Sequence, residues 1–154
     1  MDRLNTKILS ELQRDSNTSL AILSERIGLS LSACHRRIKA LETEGVIRGY
    51  SARLDRARMG LEMQVFIEVK LVSQRSSDLS AFEGAVAAMP EVLECHMISG
   101  DFDYIMRVAA RNTAGYEQLY RQRLSQLPSV SQMRTLMSLS TVKEFSGFHL
   151  DGLD

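Results

Sequence analysis

The chain has 154 residues, 44% of them apolar and 25% charged, the balance of a globular protein that is neither disordered nor membrane-spanning. The formal charge of zero hides an asymmetry: residues 1–60 carry eleven Lys or Arg against seven Asp or Glu, and residues 61–154 carry eight against twelve. A basic first third suits a polyanion partner and an acidic remainder does not. No apolar run approaches the roughly 20 residues of a transmembrane helix. The charged, amphipathic start MDRLNTKILSEL does not read as a signal peptide. Cys34 and Cys95, far apart and without CxxC spacing, indicate neither a disulfide framework nor a zinc site. A cytoplasmic protein without a metal or other cofactor is expected.

A first helix is predicted from Asp2 to Arg14, because Leu4, Ile8, Leu9 and Leu12 recur at helical spacing and Asp2 can cap the first turn. A second begins at Ser19 or Leu20, presents Leu20, Leu23 and Ile27 on one side, and stops at Gly28, which can take the left-handed conformation of a tight interhelical turn. Ser30 is a good N-cap for a third helix that runs to Glu44, with Gly45 just past its end. On this third helix Cys34, Ile38 and Leu41 form one stripe, with Leu31 at its edge, and Ser32, Arg36, Lys39 and Thr43 lie behind it. The stripe reads as buried. The opposite row of donors, about 5 to 6 Å apart along the helix, suits phosphates and base edges in a major groove. Cys34 beside His35 invites a redox or metal reading, but neighbouring helical residues point about 100° apart. Cys34 therefore faces the core as a packing residue, and His35 lies on the flank of the outward face.

Val46 to Asp55, VIRGYSARLD, is expected to form two short strands around a tight turn, a wing from which Arg48 and Arg53 project. RARMGL, Arg56 to Leu61, reads as a linker. The grammar then changes to alternation, with Met63, Val65, Ile67, Val69 and Leu71 interleaved by Gln64, Phe66, Glu68 and Lys70, the period of a half-buried strand. A helix from Asp78 to Ala88 follows, then strands at Val92 to Ser99 and Tyr104 to Ala109, a helix from Thr113 to Gln126, and a last strand from about Val130 to Val142. The predicted fold class is α+β: a winged helix-turn-helix domain, with its linker, over 1–60, and a βαββαβ (ferredoxin-like) domain over 61–154. Both helices of the second domain are expected on one face of an antiparallel sheet. The bare face, with Phe66 and several Met side chains, is expected to meet another subunit.

With these modules and the turn sequence Gly100-Asp101-Phe102-Asp103-Tyr104 in order, the chain resembles the Lrp/AsnC family of feast/famine regulators over nearly its whole length. The motifs that carry the resemblance are Ser30 to Gly45, where a Cys, an Arg pair and a Leu-Glu precede the Gly, and the GDFDY turn followed by an apolar strand. The resemblance implies a DNA-binding transcription regulator that dimerises through its sheet and assembles further to tetramers or octamers. A free amino acid or related metabolite would bind near the GDFDY turn. It implies DNA contacts from Ser30, Ser32, Ala33, His35, Arg36, Arg37 and Lys39, with Arg48 and Arg53 from the wing. For the effector it implies Ser99, Gly100, Asp101, Phe102, Asp103 and Tyr104, completed by Thr135, Ser138 and Ser140 on the last strand. A zwitterion needs a carboxylate for its ammonium and donors for its own carboxylate. Asp101 or Asp103 can serve the first need. Two other readings share this architecture: an enzyme similar to the sirohaem decarboxylases, for which His96 is the one candidate residue, and an architectural DNA-binding protein without a ligand.

Overall fold

The computed structural model describes residues 2–150 and residue 152. By internal contacts the chain divides into two units, one of residues 1–53 with 142–154 and one of residues 54–141. The expected division at residue 60 assigns the tail to the sheet domain; its contacts group it with the N-terminal helices.

In the first unit, α1 spans Arg3–Arg14, α2 Leu20–Ile27 and α3 Leu31–Thr43. Each start is capped as its sequence suggests. The side chains of Asp2, Ser19 and Ser30 accept from the backbone N–H groups of Asn5, Ile22 and Ala33, satisfying donors that helical geometry leaves without partners. Ile8, Leu23, Ile27, Cys34 and Leu41 form the buried core of this bundle. Each of the leucine and isoleucine side chains among them contributes about 1.5–3 kcal/mol by leaving water. Residues 142–150 run irregularly and are pinned by Gln13, whose Nε2 donates to Phe148 O (3.1 Å) and whose Oε1 accepts from Phe148 N (2.7 Å). Gly147, at φ 120°, lies so close that a Cβ there would sit 2.9 Å from Gln13 Oε1. The close approach therefore requires glycine.

The two short strands expected over residues 46–55 do not form. Residues 46–55 contain no strand; the described backbone bond of this segment back to α3 runs from Ile47 N to Leu41 O. Gly49 sits at φ 151°, and although Tyr50, Ala52 and Leu54 alternate with Ser51 and Arg53, residues 46–49 form no strand to pair with them. Tyr50 instead donates its hydroxyl to Glu42 Oε1 on α3 (3.0 Å), so a side chain does the tethering that strand pairing was expected to do.

The second unit holds β1 Met63–Leu71, α4 Ser76–Ala87, β2 Val92–Met97, β3 Tyr104–Ala110, α5 Thr113–Gln122 and β4 Val130–Met137. The sheet order is β2-β3-β1-β4, with every neighbour antiparallel. Several ends differ from the sequence expectation. The α4 helix begins two residues before Asp78. That carboxylate is taken by the hydroxyls of Ser73 and Ser129 rather than by a cap. Helix α5 stops at Gln122 and gives way to a single tight turn, Leu124–Gln126, and β4 ends at Met137, with one further backbone bond from Ser138 N to Gln64 O. The alternation of β1 is realised: Val65, Ile67 and Val69 are fully buried with Phe82, Met106 and Leu124, while Phe66 and Glu68 point the other way. The bare face differs from expectation. In strand register it carries Phe66, Ile105 and Leu136 among the ion pairs Glu94–Arg107 and Glu68–Arg134. The strand methionines Met63, Met106 and Met133 pack with the core on the helix side.

Candidate DNA interface and effector site

The turn between α2 and α3 is built by Gly28, at φ 78°, whose N–H reaches Ser24 O (3.0 Å) and Glu25 O (3.1 Å) while Leu29 N also reaches Ser24 O (2.9 Å). This left-handed closure costs little only for glycine. It delivers Ser30 to the start of α3 and fixes which way that helix faces. Cys34 and Leu41 are buried, and burial raises the Cys34 thiol pKa, which keeps it protonated and unreactive. Ser32, His35, Arg36, Lys39 and Thr43 are exposed, and Ala33 is half-buried.

The predicted DNA residues are not equally available. Among the described residues Arg36 has no hydrogen-bond or ion-pair partner. Lys39 Nζ bonds Glu42 Oε2 (2.6 Å), and Ser30 Oγ, the cap, lies 3.3 Å from Ser32 Oγ. Arg37 is drawn inward instead: its guanidinium bonds Asp2 Oδ2 (2.5 Å) and Asn5 Oδ1 (2.9 Å), tying α3 to the start of α1. The Asn5 N–H, and then Arg37, hold the Asp2 carboxyl below its ordinary range. Arg48 and Arg53 are exposed on the irregular segment rather than on a wing hairpin. Sequence reasoning passed over Glu42, which gathers both Lys39 and Tyr50. The Lys39 pair spans three residues of one helix and was legible; the Tyr50 contact was not.

The GDFDY turn joins β2 to β3. Gly100 turns the chain at φ 126° and Asp101 is exposed, with no hydrogen-bond partner among the described residues. Asp103 is a brace. Its N–H donates to Val69 O (2.9 Å), its Oδ2 accepts from Leu71 N (2.8 Å) and its Oδ1 from Gln74 Nε2 (2.8 Å). The Leu71 amide, and then Gln74, lower its pKa from the ordinary value of 3.8. A depressed carboxylate contributes stability above its unfolded pKa and loses it as pH falls through the folded value. Asp103→Ala is expected to cost about 1–2 kcal/mol at neutral pH, an amount discounted for partial exposure. That difference from the parent should shrink below about pH 4, as read by urea titrations across pH 2–7.

The remaining effector residues do not converge within one protomer. Tyr104 is buried, its ring 4.7 Å from Phe82, and its hydroxyl donates to Glu83 Oε1 (2.6 Å); burial, and then Glu83, push its pKa up. Thr135 Oγ1 lies 2.7 Å from Tyr116 OH on α5. Both side chains therefore sit on the helix-covered side of the sheet. Ser138 N bonds Gln64 O, five strand positions from Val69, so Ser138 and Ser140 lie about 16 Å from the turn at the rise of an extended chain. Alternation along a strand explains the split of Thr135 from the open face. The expected Asp103-or-Asp101 choice is narrowed: both Asp103 oxygens are engaged and Asp101 is left available. Phe102, 9% exposed, stacks under the guanidinium of Arg134, whose Cζ lies 4.7 Å from the ring centroid. Ser99 and His96 are exposed. Among the described residues no group of three His, Cys, Asp or Glu is placed to hold a metal ion, and no helix is long and apolar enough to cross a membrane.

Comparison with known proteins accords with this layout. The family model described as winged helix-turn-helix DNA-binding matches residues 1–48, and that of the Lrp/AsnC ligand binding domain matches residues 64–148. The chain belongs to the Lrp/AsnC family of transcription regulators. A proline dehydrogenase transcriptional activator of Rhizobium radiobacter is 40% identical over 144 residues, covering 94% of this chain and 92% of that one. A leucine-responsive regulatory protein of Haemophilus influenzae is 38% identical, covering 94% and 87%. A transcriptional regulator of Neisseria meningitidis, solved as a complex with L-Met, superposes with a TM-score of 0.93 at 29% identity, covering 99% of each chain. As a member of this family the protein carries a winged helix-turn-helix DNA-binding module over residues 1–48 and a ligand-binding domain over residues 64–148.

Proposed function

We propose that this regulator binds an imperfectly palindromic operator as a dimer, with α3 of each protomer in successive major grooves, and that a free amino acid shifts its assembly or its DNA affinity. The observation that carries the DNA reading is the outward row on α3, with Arg36 unpaired among the described residues and the buried stripe directly behind it. Dimeric helix-turn-helix proteins address half-sites about one helical turn apart. The sheet face carrying Phe66, Ile105 and Leu136 is the proposed dimer surface, since large apolar side chains on an uncovered face favour another subunit over water. Tetramers or octamers built from such dimers would act in the cytoplasm.

For the effector, support comes from the free carboxylate of Asp101 at the turn and from the related regulator solved with L-Met. Ser138 and Ser140 can join that turn only from a neighbouring protomer, so the site is proposed to lie between dimers. The test is a titration of the protein with each of the twenty L-amino acids by calorimetry, paired with gel-shift or anisotropy measurements on DNA selected from a random pool. One amino acid is expected to bind and to change DNA affinity or sedimentation. Asp101→Ala should weaken that binding tenfold or more, as loss of a charge-assisted contact does, and leave the melting curve in place. Selection of no consensus DNA would overturn the operator reading, and a full amino-acid response in Asp101→Ala would remove the ammonium site from this turn.

A further inference from the structure

We infer that Arg134 is the group that takes the carboxylate of the amino-acid effector. The inference rests on the effector reading above and deepens it with a residue for which β4 offered no signal in the chain alone. The guanidinium is fixed on two sides. Its Nε donates to Glu68 Oε2, across the β1–β4 ladder, and its face lies on the Phe102 ring with Cζ 4.7 Å from the centroid. Neither terminal nitrogen has a hydrogen-bond partner among the described residues. That leaves a pair of coplanar donors of the kind that grips a carboxylate by two parallel hydrogen bonds.

Preorganisation is the reason to single out this arginine among the cations of the domain. A guanidinium already oriented by one carboxylate and one ring loses little further freedom when a ligand arrives. Arg107, on the inner strand β3, is closed off by Glu94 through a terminal nitrogen (2.6 Å), whereas Arg134 stands on the edge strand β4 against the turn, at the margin of the proposed dimer surface and not within it. The neighbouring charges also match a zwitterion. Glu68, and to a smaller extent Asp101, raise the Arg134 pKa, which puts Asp101 in electrostatic reach of the same guanidinium. Asp103 is taken up by Leu71 and Gln74, so Asp101 is the carboxylate left for an ammonium. A cation lying over Phe102 and an anion on the residue just before that ring form the counterpart of an α-amino acid's two charged groups.

The experiment compares the amino acid that binds best to the parent protein with its amide, in which a neutral carboxamide replaces the carboxylate. The parent should bind the acid at least tenfold more tightly than the amide. Arg134→Gln should bind both equally and weakly, and Arg134→Lys, which keeps the charge but not the fork, should retain part of the preference. Sedimentation and melting curves of the variants check that each still folds. An Arg134→Gln variant that keeps the parent's preference for the acid would overturn the assignment while leaving the effector site standing. Failure of the parent to bind any of the twenty amino acids would overturn the effector reading, and this assignment with it.

Discussion

Arg36→Ala is expected to weaken binding to selected operator DNA by about tenfold to a hundredfold, the value of one bidentate base contact at about 1–3 kcal/mol. The same variant should keep its oligomeric state and its stability to within about 0.5 kcal/mol, because Arg36 is exposed and has no partner among the described residues to lose. The form of the loss distinguishes two roles. A base contact gives a loss confined to the selected sequence. A phosphate contact weakens all sequences alike and lowers the dependence of log affinity on log salt by about one unit. Arg37→Ala makes the control: its guanidinium is held by Asp2 and Asn5, so its removal should loosen the α1–α3 contact more than it changes sequence preference. Unchanged affinity of Arg36→Ala at near-physiological salt would remove α3 from the groove.

Phe82→Ala is expected to cost about 3–5 kcal/mol, the usual price of emptying a fully buried aromatic site. Phe82 is 0% exposed and its ring packs tilted against that of Tyr104, with centroids 4.7 Å apart. That tyrosine follows Asp103 in sequence, so the cavity would open directly behind the GDFDY turn. A loss of this size is a large part of the 5–15 kcal/mol by which a domain is commonly stable. Because the chain divides into two units, unfolding need not be two-state. The loss should appear in the transition that melts the sheet, followed by circular dichroism in urea, while the three N-terminal helices keep their own midpoint. A shift of less than about 1 kcal/mol would mean that the ring is not the packing centre assigned to it.

Particular residues show where sequence reasoning reached and where it stopped. Asp2, Ser19, Ser30 and Gly28 announce the limits of the helices because each acts on backbone groups within a few residues. The alternation in Met63 to Leu71 marks β1 and its buried side for the same reason: pleat and period are local. The two strands expected after α3 are absent because hairpin residues alone do not supply a ladder, and Gly49 at φ 151° with Tyr50 turned to Glu42 leaves an irregular segment instead. Methionine composition misled about the open sheet face, since which face a side chain occupies depends on its position in the register and not on its type.

The candidate sites divide along the same line. The helix-turn-helix, the outward row on α3, the chain order of the sheet elements and the family are legible in the residues alone, because all follow from spacings of a few residues or from contiguous motifs. It takes the folded chain to show that Arg37 is engaged by α1, that Asp103 braces the turn while Asp101 has no hydrogen-bond partner among the described residues, that Thr135 faces Tyr116, and that Arg134 meets Glu68 across 66 residues of chain. Those pairings are set by strand register and helix docking. They exist only after apolar burial has brought distant segments together, and no periodicity in the chain encodes them.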